Sequence, residues 1–274
     1  MSGRLGVADA LRHARAAVAA GPPAVGVTVV ESSAGAPAPG ERMTVWAAEH
    51  AGTLGSAALD RAAVAAARER LAPAAHPGTH AVEADGVSCV LYLEPHRPRP
   101  ELVIVGAGHI ARPLCAVGAL LGFRVAVLDD RPEFATRERF PEAAVVLRAD
   151  FSDPFRDVPI HGGTHLVLVT RGHKYDFDAL LDVLRRPEAP AYVGMVGSRR
   201  RVRAALEQLV REGIDPARLA AIHAPIGLDI GAETPEEIAI AIAAEIVRLR
   251  RGGTGVPLRE RDRVMERWVG KPSG

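Results

Sequence analysis

The stretch LVIVGAGHIA, residues 102–111, decides the fold of this chain. A short apolar run leads into the pattern Gly-x-Gly-x-x-Ala, which marks a buried strand that turns into a helix at a nucleotide. Gly106 permits the tight turn, Gly108 lets the backbone approach a pyrophosphate, and Ala111 allows close helix packing. The helix N-terminus would then face the anion. The turn residues that we expect to contact a ligand are Gly106, Gly108, His109 and Ile110.

A carboxylate follows at the place where dinucleotide-binding domains hold a ribose. Asp129 ends the next apolar run, 23 residues after Gly106, and such an acid commonly bonds ribose hydroxyls. Arg131 stands beside it and leaves the choice between ligands with and without a 2′-phosphate open. The alternative is a tight glycine turn that binds no ligand.

The rest of this half alternates short apolar runs with amphipathic segments. Runs of this kind are typical of strands buried on both faces of a parallel sheet, and the amphipathic segments supply the crossover helices. The predicted strands are 102–105, 124–128, 143–147, 165–169, 191–196 and 220–224. The predicted helices are 109–121, 176–186, 198–212 and 235–250. The pattern predicts an α/β fold with a Rossmann-like, doubly wound parallel sheet.

The first part of the chain has a different pattern and predicts a smaller N-terminal α+β module. Its predicted helices are 7–20 and 57–71, and its predicted strands are 25–31, 42–48 and 87–93. Three prolines in residues 95–100 favour an extended spacer. We therefore expect domains at 1–96 and 97–252, followed by a tail at 253–274.

Two further loops at strand ends carry polar residues. Loops at the carboxyl ends of parallel strands line the ligand crevice. The segment TRGHKYD, residues 170–176, follows the fourth strand, and GSR, residues 197–199, follows the fifth. In the first segment Asp176 is expected to cap the next helix, and we expect Arg200 and Arg201 after the second segment to be solvated. The candidate binding residues are Thr170, His173, Lys174, Gly197, Ser198 and Arg199.

A metal site is not expected. His109, His173 and His223 follow three different strands, but no pair of them has the i, i+4 spacing of helical zinc ligands. The chain also lacks the G-x-S-x-G, P-loop and H-E-x-x-H motifs. A polar ligand pocket is therefore the better interpretation of these histidines, and we assign no catalytic residue.

Composition excludes several classes of protein. With 34 Lys and Arg against 33 Asp and Glu, the net charge of +1 gives no attraction to nucleic acid or to anionic membranes. The two cysteines, Cys89 and Cys115, are too few for a disulfide framework and are expected to be buried. Neither a signal peptide nor a membrane span is indicated, so we expect a cytoplasmic protein. Only Lys174 and Lys271 are lysines.

Five segments together resemble the XdhC/CoxI family of xanthine dehydrogenase accessory factors. They occur in the family's order: VGAGHIA (105–111), VLDDRPEFA (127–135), TRGHKYD (170–176), YVGMVGSRRR (192–201) and HAPIGLDIGAETPEEIAIAIAAEIV (223–247). The N-terminal module resembles the family more loosely. The resemblance implies a chaperone that binds molybdenum cofactor (molybdopterin) and delivers it to an apo molybdenum hydroxylase, with a cysteine desulfurase as a further partner and a homodimer as its assembly.

Two other functions remain open for the same fold. One is an NAD(P)-dependent oxidoreductase with His173 as acid or base, and the other is a nucleotide-sensing binding module. The chain also departs from the family pattern. It has GTLGSAALD at 52–60 in place of a G-x-x-G-G-G-C-x-E type segment, and Arg171 in place of the first histidine of T-H-G-H.

Overall fold

Two units make up the chain, which divides between Pro100 and Glu101. The computed structural model describes residues 3–19, 22–35, 37–72 and 75–259, apart from the side chain of His173. Most of the expected tail, 260–274, lies outside these residues. The elements of the first unit are α1 (Val7–Ala19), β1 (Ala24–Ser32), β2 (Arg42–Val45), β3 (His50–Ala51), α2 (Ala57–Glu69), β4 (Gly78–Ala84) and β5 (Val87–His96).

The first unit is built on one antiparallel sheet in the order β3-β2-β1-β5-β4. Leu59 and Ala63 of α2 share a buried cluster with Val27 of β1 and Leu91 of β5. Cys89, also in β5, is buried in the same cluster, as expected. The predicted α+β module is confirmed.

Strand β4 was not predicted from the sequence. It lies at the edge of the sheet and buries only Val82, so it lacks the alternating apolar pattern of a half-buried strand. Asp85 and Gly86, with φ of 52° and 74°, form the tight turn between β4 and β5. An Asp-Gly pair is a strong hairpin signal, and it would have revealed this strand.

The second unit is a six-stranded parallel sheet in the order β11-β10-β9-β6-β7-β8. Its strands are β6 (Glu101–Val105), β7 (Arg124–Asp129), β8 (Val145–Arg148), β9 (Thr164–Leu168), β10 (Tyr192–Met195) and β11 (Ile222–His223). Its helices are α3 (Ala111–Leu120), α4 (His173–Arg185), α5 (Arg199–Arg211), α6 (Pro216–Ala220) and α7 (Pro235–Arg251). This strand order is that of a Rossmann-type domain.

Each face of this sheet has its own apolar core. Val103 and Val105 of β6 pack in the cluster that contains residues of α4 and α5. Leu102 and Ile104 pack in the opposite cluster, which contains residues of α3 and α7. Because alternate residues of one strand point to opposite faces, helices cover both sides. The prediction of a doubly wound α/β domain is confirmed.

The predicted strand 220–224 is wrong in its extent. Only residues 222–223 form a strand, and they follow the short helix α6. Asp215 caps that helix by accepting a hydrogen bond from the Ala217 amide, and Pro216 starts it. This cap signal outweighs the apolar run that suggested a longer strand.

Candidate functional site

The crevice lies where the direction of the sheet order reverses, between β6 and β9. These neighbouring strands lead into α3 and α4, which cover opposite faces of the sheet. In doubly wound sheets the two connecting loops at such a point separate and leave a groove between them, which is the usual ligand crevice. The turn 106–110 forms one side of this groove, and the loop that starts at Thr170 forms the other.

The two glycines of the turn have different structural roles. Gly106 has a φ of 104°, and a Cβ there would lie 2.7 Å from the carbonyl oxygen of Val169. It is therefore required by the contact between the two strand ends. A Cβ on Gly108 would meet no atom within 4 Å. The protein itself thus leaves open the space beside Gly108, where a ligand could approach the backbone.

Helix α3 begins at Ala111, directly after the glycine turn. Ile110, which precedes it, has no side chain that could cap the helix, and it packs at the edge of the apolar core. Ala111 is fully buried, as its close-packing role requires, whereas His109 is exposed. Amide groups of an uncapped first turn attract anions.

Asp129 is held by the protein itself. Its Oδ1 accepts hydrogen bonds from the backbone amide and Nε of Arg131, at 3.0 and 2.9 Å. Its Oδ2 accepts from the Ala107 amide at 2.7 Å and from Nη2 of Arg131 at 2.9 Å. Burial alone would raise the pKa of this carboxyl, but the hydrogen bonds from Arg131 and Ala107 lower it to about 2. Asp129 is therefore ionised and links the end of β7 to the glycine turn.

Phe134 and Arg139, which the sequence did not single out, lie beside Asp129 and the glycine turn. The guanidinium carbon of Arg131 lies 3.6 Å from the ring centroid of Phe134, and that of Arg139 lies 4.7 Å from it. Nη2 of Arg139 also approaches the carbonyl oxygen of Ala107, at 3.4 Å. Both arginines are therefore gathered at the glycine turn. Phe134 and Arg139 lie in an irregular segment, where no helical or strand periodicity could have revealed their contact.

The loop after β9 is fixed by a buried ion pair. Asp176 is fully buried in the first turn of α4, and its Oδ2 accepts from Nε of Arg201 at 2.8 Å and from Nη2 of the same residue. The Thr170 hydroxyl donates to Oδ1, and Arg201 also donates to the Thr170 carbonyl at 3.2 Å. The prediction that Asp176 caps α4 is wrong, because the cap is Gly172. Arg201 is likewise not the solvated side chain that was expected.

Lys174 lies in a second cleft beside this loop. Its side chain is exposed and lines a cavity of about 1010 Å³ together with Asp130, Arg148, Phe151, Tyr175 and Asp178. Arg171 donates to Asp130 at 2.7 Å and to the Tyr175 hydroxyl at 2.8 Å. His173 is the first residue of α4, and its side chain lies outside the described part of the structure.

The loop after β10 begins α5. Ser198, a candidate binding residue, caps this helix by accepting a hydrogen bond from the Arg201 amide at 3.3 Å. Gly197 packs against the stem of Arg201, since a Cβ there would lie 3.4 Å from its Cδ. Arg199 and Arg200 are exposed. Gly197 and Ser198 therefore both contact Arg201, which in turn bonds the buried Asp176.

A buried carboxylate holds the loop after β11. Glu245 of α7 accepts a hydrogen bond from the Tyr192 hydroxyl at 2.7 Å and one from the Gly227 amide at 2.8 Å. His223 lies 3.3 Å from the other oxygen and stacks on the Tyr192 ring at 4.8 Å between centroids. Burial and the bond to Glu245 raise the pKa of Tyr192. Glu245 thus ties the segment 223–227 to α7, a role that its sequence position did not indicate.

The described residues show neither a metal-ligand cluster nor a membrane-spanning helix. Within this part of the chain, no three His, Cys, Asp or Glu side chains come together as metal ligands. None of its helices has both the length and the apolar character needed to cross a bilayer. Cys115 is fully buried, and burial raises the pKa of its thiol to about 11.

Comparison with known families gives two matches that cover most of the chain. Residues 102–246 match the family described as the XdhC Rossmann domain. Residues 17–81 match the one described as the XdhC and CoxI family. The first match alone exceeds half of the chain and contains every residue of the crevice described above.

Two curated relatives and one solved structure are similar to the chain. Uncharacterized protein YqeB of Escherichia coli K12 is 36% identical over 183 residues, which are 66% of this chain and 33% of YqeB. A Bacillus subtilis 168 protein, named as one of the probable subunits of xanthine dehydrogenase, is 32% identical over 164 residues, which are 59% of this chain and 46% of that protein. The chain thus spans less than half the length of these relatives. A crystal structure described as a xanthine dehydrogenase from Bacillus halodurans aligns with a TM-score of 0.51 and 19% identity, over 92% of this chain and 99% of that one, and shows the shared fold.

Proposed function

Because the chain belongs to the XdhC and CoxI family, we propose that it is an accessory factor that binds molybdenum cofactor and delivers it to a xanthine-dehydrogenase-type hydroxylase. The Bacillus subtilis relative, which is named for xanthine dehydrogenase, supports this assignment. The receiving partner would be the apo hydroxylase. A cysteine desulfurase that sulfurates the cargo and a homodimeric assembly belong to the same proposal.

The open glycine turn at the switch point is the observation that carries the proposal. Molybdenum cofactor has a phosphate at the end of its pterin, and phosphates bind to backbone amides at helix N-termini. The space beside Gly108 and the uncapped start of α3 fit such a group. Arg131 and Arg139 add positive charge at the same turn.

The chain's own residues would bind the cargo, orient it and keep it accessible for transfer. Amides of the turn would hold the phosphate, and the buried pair of Asp176 and Arg201 would keep the loop on the opposite side of the crevice in place. The molybdenum chemistry itself belongs to the cargo and is carried out after delivery. Binding followed by release requires positioning of the ligand and no covalent step.

The two other functions have less support. A dinucleotide-dependent oxidoreductase would use Asp129 to bond the ribose, but protein donors already surround both oxygens of this carboxylate. Calorimetry with NAD, NADP and their reduced forms separates the hypotheses. Tight binding together with hydride transfer to a carbonyl would favour the oxidoreductase, and nucleotide binding without transfer or delivery would favour a sensing module.

The direct test is cargo retention and transfer. The full chain is expressed in cells that make molybdenum cofactor and in matched cells that do not. Purified protein is then assayed for molybdenum and for the fluorescence of oxidised pterin. We expect both signals only in the first preparation, and activation of an apo hydroxylase when the two proteins are mixed. Absence of both signals under conditions that load the hydroxylase in the same cells would reject the proposal.

A further inference from the structure

Two arginines that follow β7, Arg131 and Arg139, lie beside the glycine turn that follows β6. The guanidinium groups of Arg131 and Arg139 both lie over the ring of Phe134. Arg131 reaches the turn through Asp129, which also bonds the Ala107 amide, and Arg139 approaches the Ala107 carbonyl. Stacking on an aromatic ring restrains the long arginine side chains and keeps their charge beside the turn.

Arg131 and Arg139 differ in how directly their charges are paired. Asp129 compensates Arg131 through a two-pronged ion pair, with Nε and Nη2 each on a different oxygen. The neighbouring Asp130 pairs with Arg171. Arg139 makes no direct ion pair within the described part of the chain, and its Nε is buried without an acceptor. The Arg139 guanidinium is therefore the group at the turn that a ligand anion could pair with directly, while Glu133 adds a negative charge near Arg131.

The same arrangement fills the position that would recognise a ribose. A carboxylate has about four acceptor sites, and Asp129 accepts four hydrogen bonds from the protein. Its side chain is only 3% exposed. A ribose hydroxyl could bond Asp129 only by displacing Arg131 or the Ala107 amide, each of which would then lose a charge-assisted bond.

We propose that Arg131 and Arg139 determine the ligand class of the crevice: Arg131 closes the end of β7 to a ribose diol, and Arg139 offers its guanidinium group to a phosphate beside the glycine turn. This inference rests on the proposed function, because it concerns the same cargo site. The preferred ligand is then a phosphate monoester or pyrophosphate whose recognition does not depend on a nucleoside 2′-hydroxyl. Arg131 acts by occupying Asp129, and Arg139 acts through a guanidinium group whose Nε has no acceptor in the protein.

Three small probes separate the two halves of the proposal: inorganic pyrophosphate, ADP and 2′-deoxy-ADP. The wild-type chain should bind pyrophosphate and should bind the two nucleotides equally well. Arg139→Gln should weaken pyrophosphate binding about tenfold, the loss expected for one hydrogen bond to a charged group. Arg131→Gln should make ADP bind about tenfold more tightly than 2′-deoxy-ADP, because Asp129 becomes available to the 2′-hydroxyl.

Arg124→Gln is the matched control. Arg124 is the first residue of β7, at the end of the strand opposite to Asp129, and it pairs with Glu101. Its loss should therefore change neither the pyrophosphate affinity nor the 2′-hydroxyl preference. If Arg131→Gln does not fold, Arg131→Lys keeps the charge but cannot bond both oxygens of Asp129, and it should show the same 2′-hydroxyl preference to a smaller degree.

Three results would overturn the inference. They are a wild-type preference for ADP over 2′-deoxy-ADP of about fivefold or more, no binding of pyrophosphate by the wild type, and unchanged pyrophosphate binding in Arg139→Gln. None of these probes contains molybdenum or pterin. A failure here would therefore leave the cargo assay of the proposed function unaffected, and a failure of that assay would leave these affinities interpretable.

Discussion

Arg201, in the first turn of α5, donates two hydrogen bonds to one carboxylate oxygen of Asp176, which is fully buried in the first turn of α4. The other oxygen accepts from Thr170, so this single carboxylate joins two helix starts and the end of β9. Two helices that follow different strands are thereby fixed to one side of the crevice.

Removal of one partner of this pair should be costly. Arg201→Met removes the two charge-assisted hydrogen bonds that Arg201 donates to the buried Asp176 carboxylate, and loss of hydrogen bonding to a charged group typically costs about 1.5 to 3 kcal/mol. Urea unfolding of the full chain should show that loss. The exposed neighbour Arg200→Met is the control and should change the free energy of unfolding by less than about 0.5 kcal/mol.

Substitutions of the two turn glycines should separate folding from binding. Gly106→Ala introduces a Cβ that would lie 2.7 Å from the Val169 carbonyl oxygen, at a φ of 104°, and should lower the melting temperature. Gly108→Ala meets no protein atom and should leave the melting temperature unchanged while reducing retention of molybdenum and pterin. Full retention of cargo by Gly108→Ala would argue against the turn as the binding site.

Loss of the Glu245 carboxylate should release the loop that it holds. Glu245→Ala leaves the Tyr192 hydroxyl and the Gly227 amide without their acceptor, at a cost of about 1 to 3 kcal/mol for each buried group. Hydrogen exchange should show faster exchange at residues 223–228. Glu236→Ala, on the exposed first turn of the same helix, should leave that segment protected.

His165 should make the stability of the chain depend on pH. Burial, with a smaller contribution from the charge of Arg250, lowers the pKa of this histidine from 6.5 to about 4. The unfolded chain therefore binds a proton on His165 near pH 6.5, whereas the folded chain binds it only near pH 4. The free energy of unfolding consequently falls as the pH is lowered from 6.5 to 4. Between pH 7 and pH 5 the loss should be about 2 kcal/mol.

The comparison variant for this effect is His165→Gln. Urea unfolding at pH 7 and pH 5 should show a smaller decrease for the variant than for the wild type, by about the same 2 kcal/mol. Equal decreases in the two proteins would mean that folding does not lower the pKa of His165.

Two cationic side chains that the sequence analysis named as candidate binding residues can be replaced without loss of stability, because they are exposed. Lys174 and Arg199 are both exposed at helix starts. Lys174→Ala and Arg199→Ala should each weaken retention of a phosphate-bearing ligand about three- to tenfold, with unchanged melting temperatures. Unchanged retention in both variants would restrict the binding site to the turn and its arginines.

The fold was predictable because its signals are local. The run at 102–105, the glycines that follow it and the alternation of strands and helices all lie within short windows of sequence. The start of α7 has a signal of the same kind, because Thr234 and Glu237 form a capping box there. Prediction failed where the local signal was weak, as for the edge strand β4, or where two signals competed, as at Pro216.

The internal contacts of the site could not be read in this way. Asp176 and Arg201 are 25 residues apart, and Tyr192 and Glu245 are 53 apart. No spacing rule connects such residues before the sheet order is known. Asp129 was correctly placed at the end of β7, but its engagement with Arg131 depends on a side-chain rotamer that periodicity does not report.

The near-absence of lysine also has a consequence for how a ligand would leave. Arginine side chains keep their charge throughout the physiological pH range. If the chain has the proposed function, a change of pH would therefore not release an anion held at the turn. Release would instead require a competing anion-binding surface on the receiving protein.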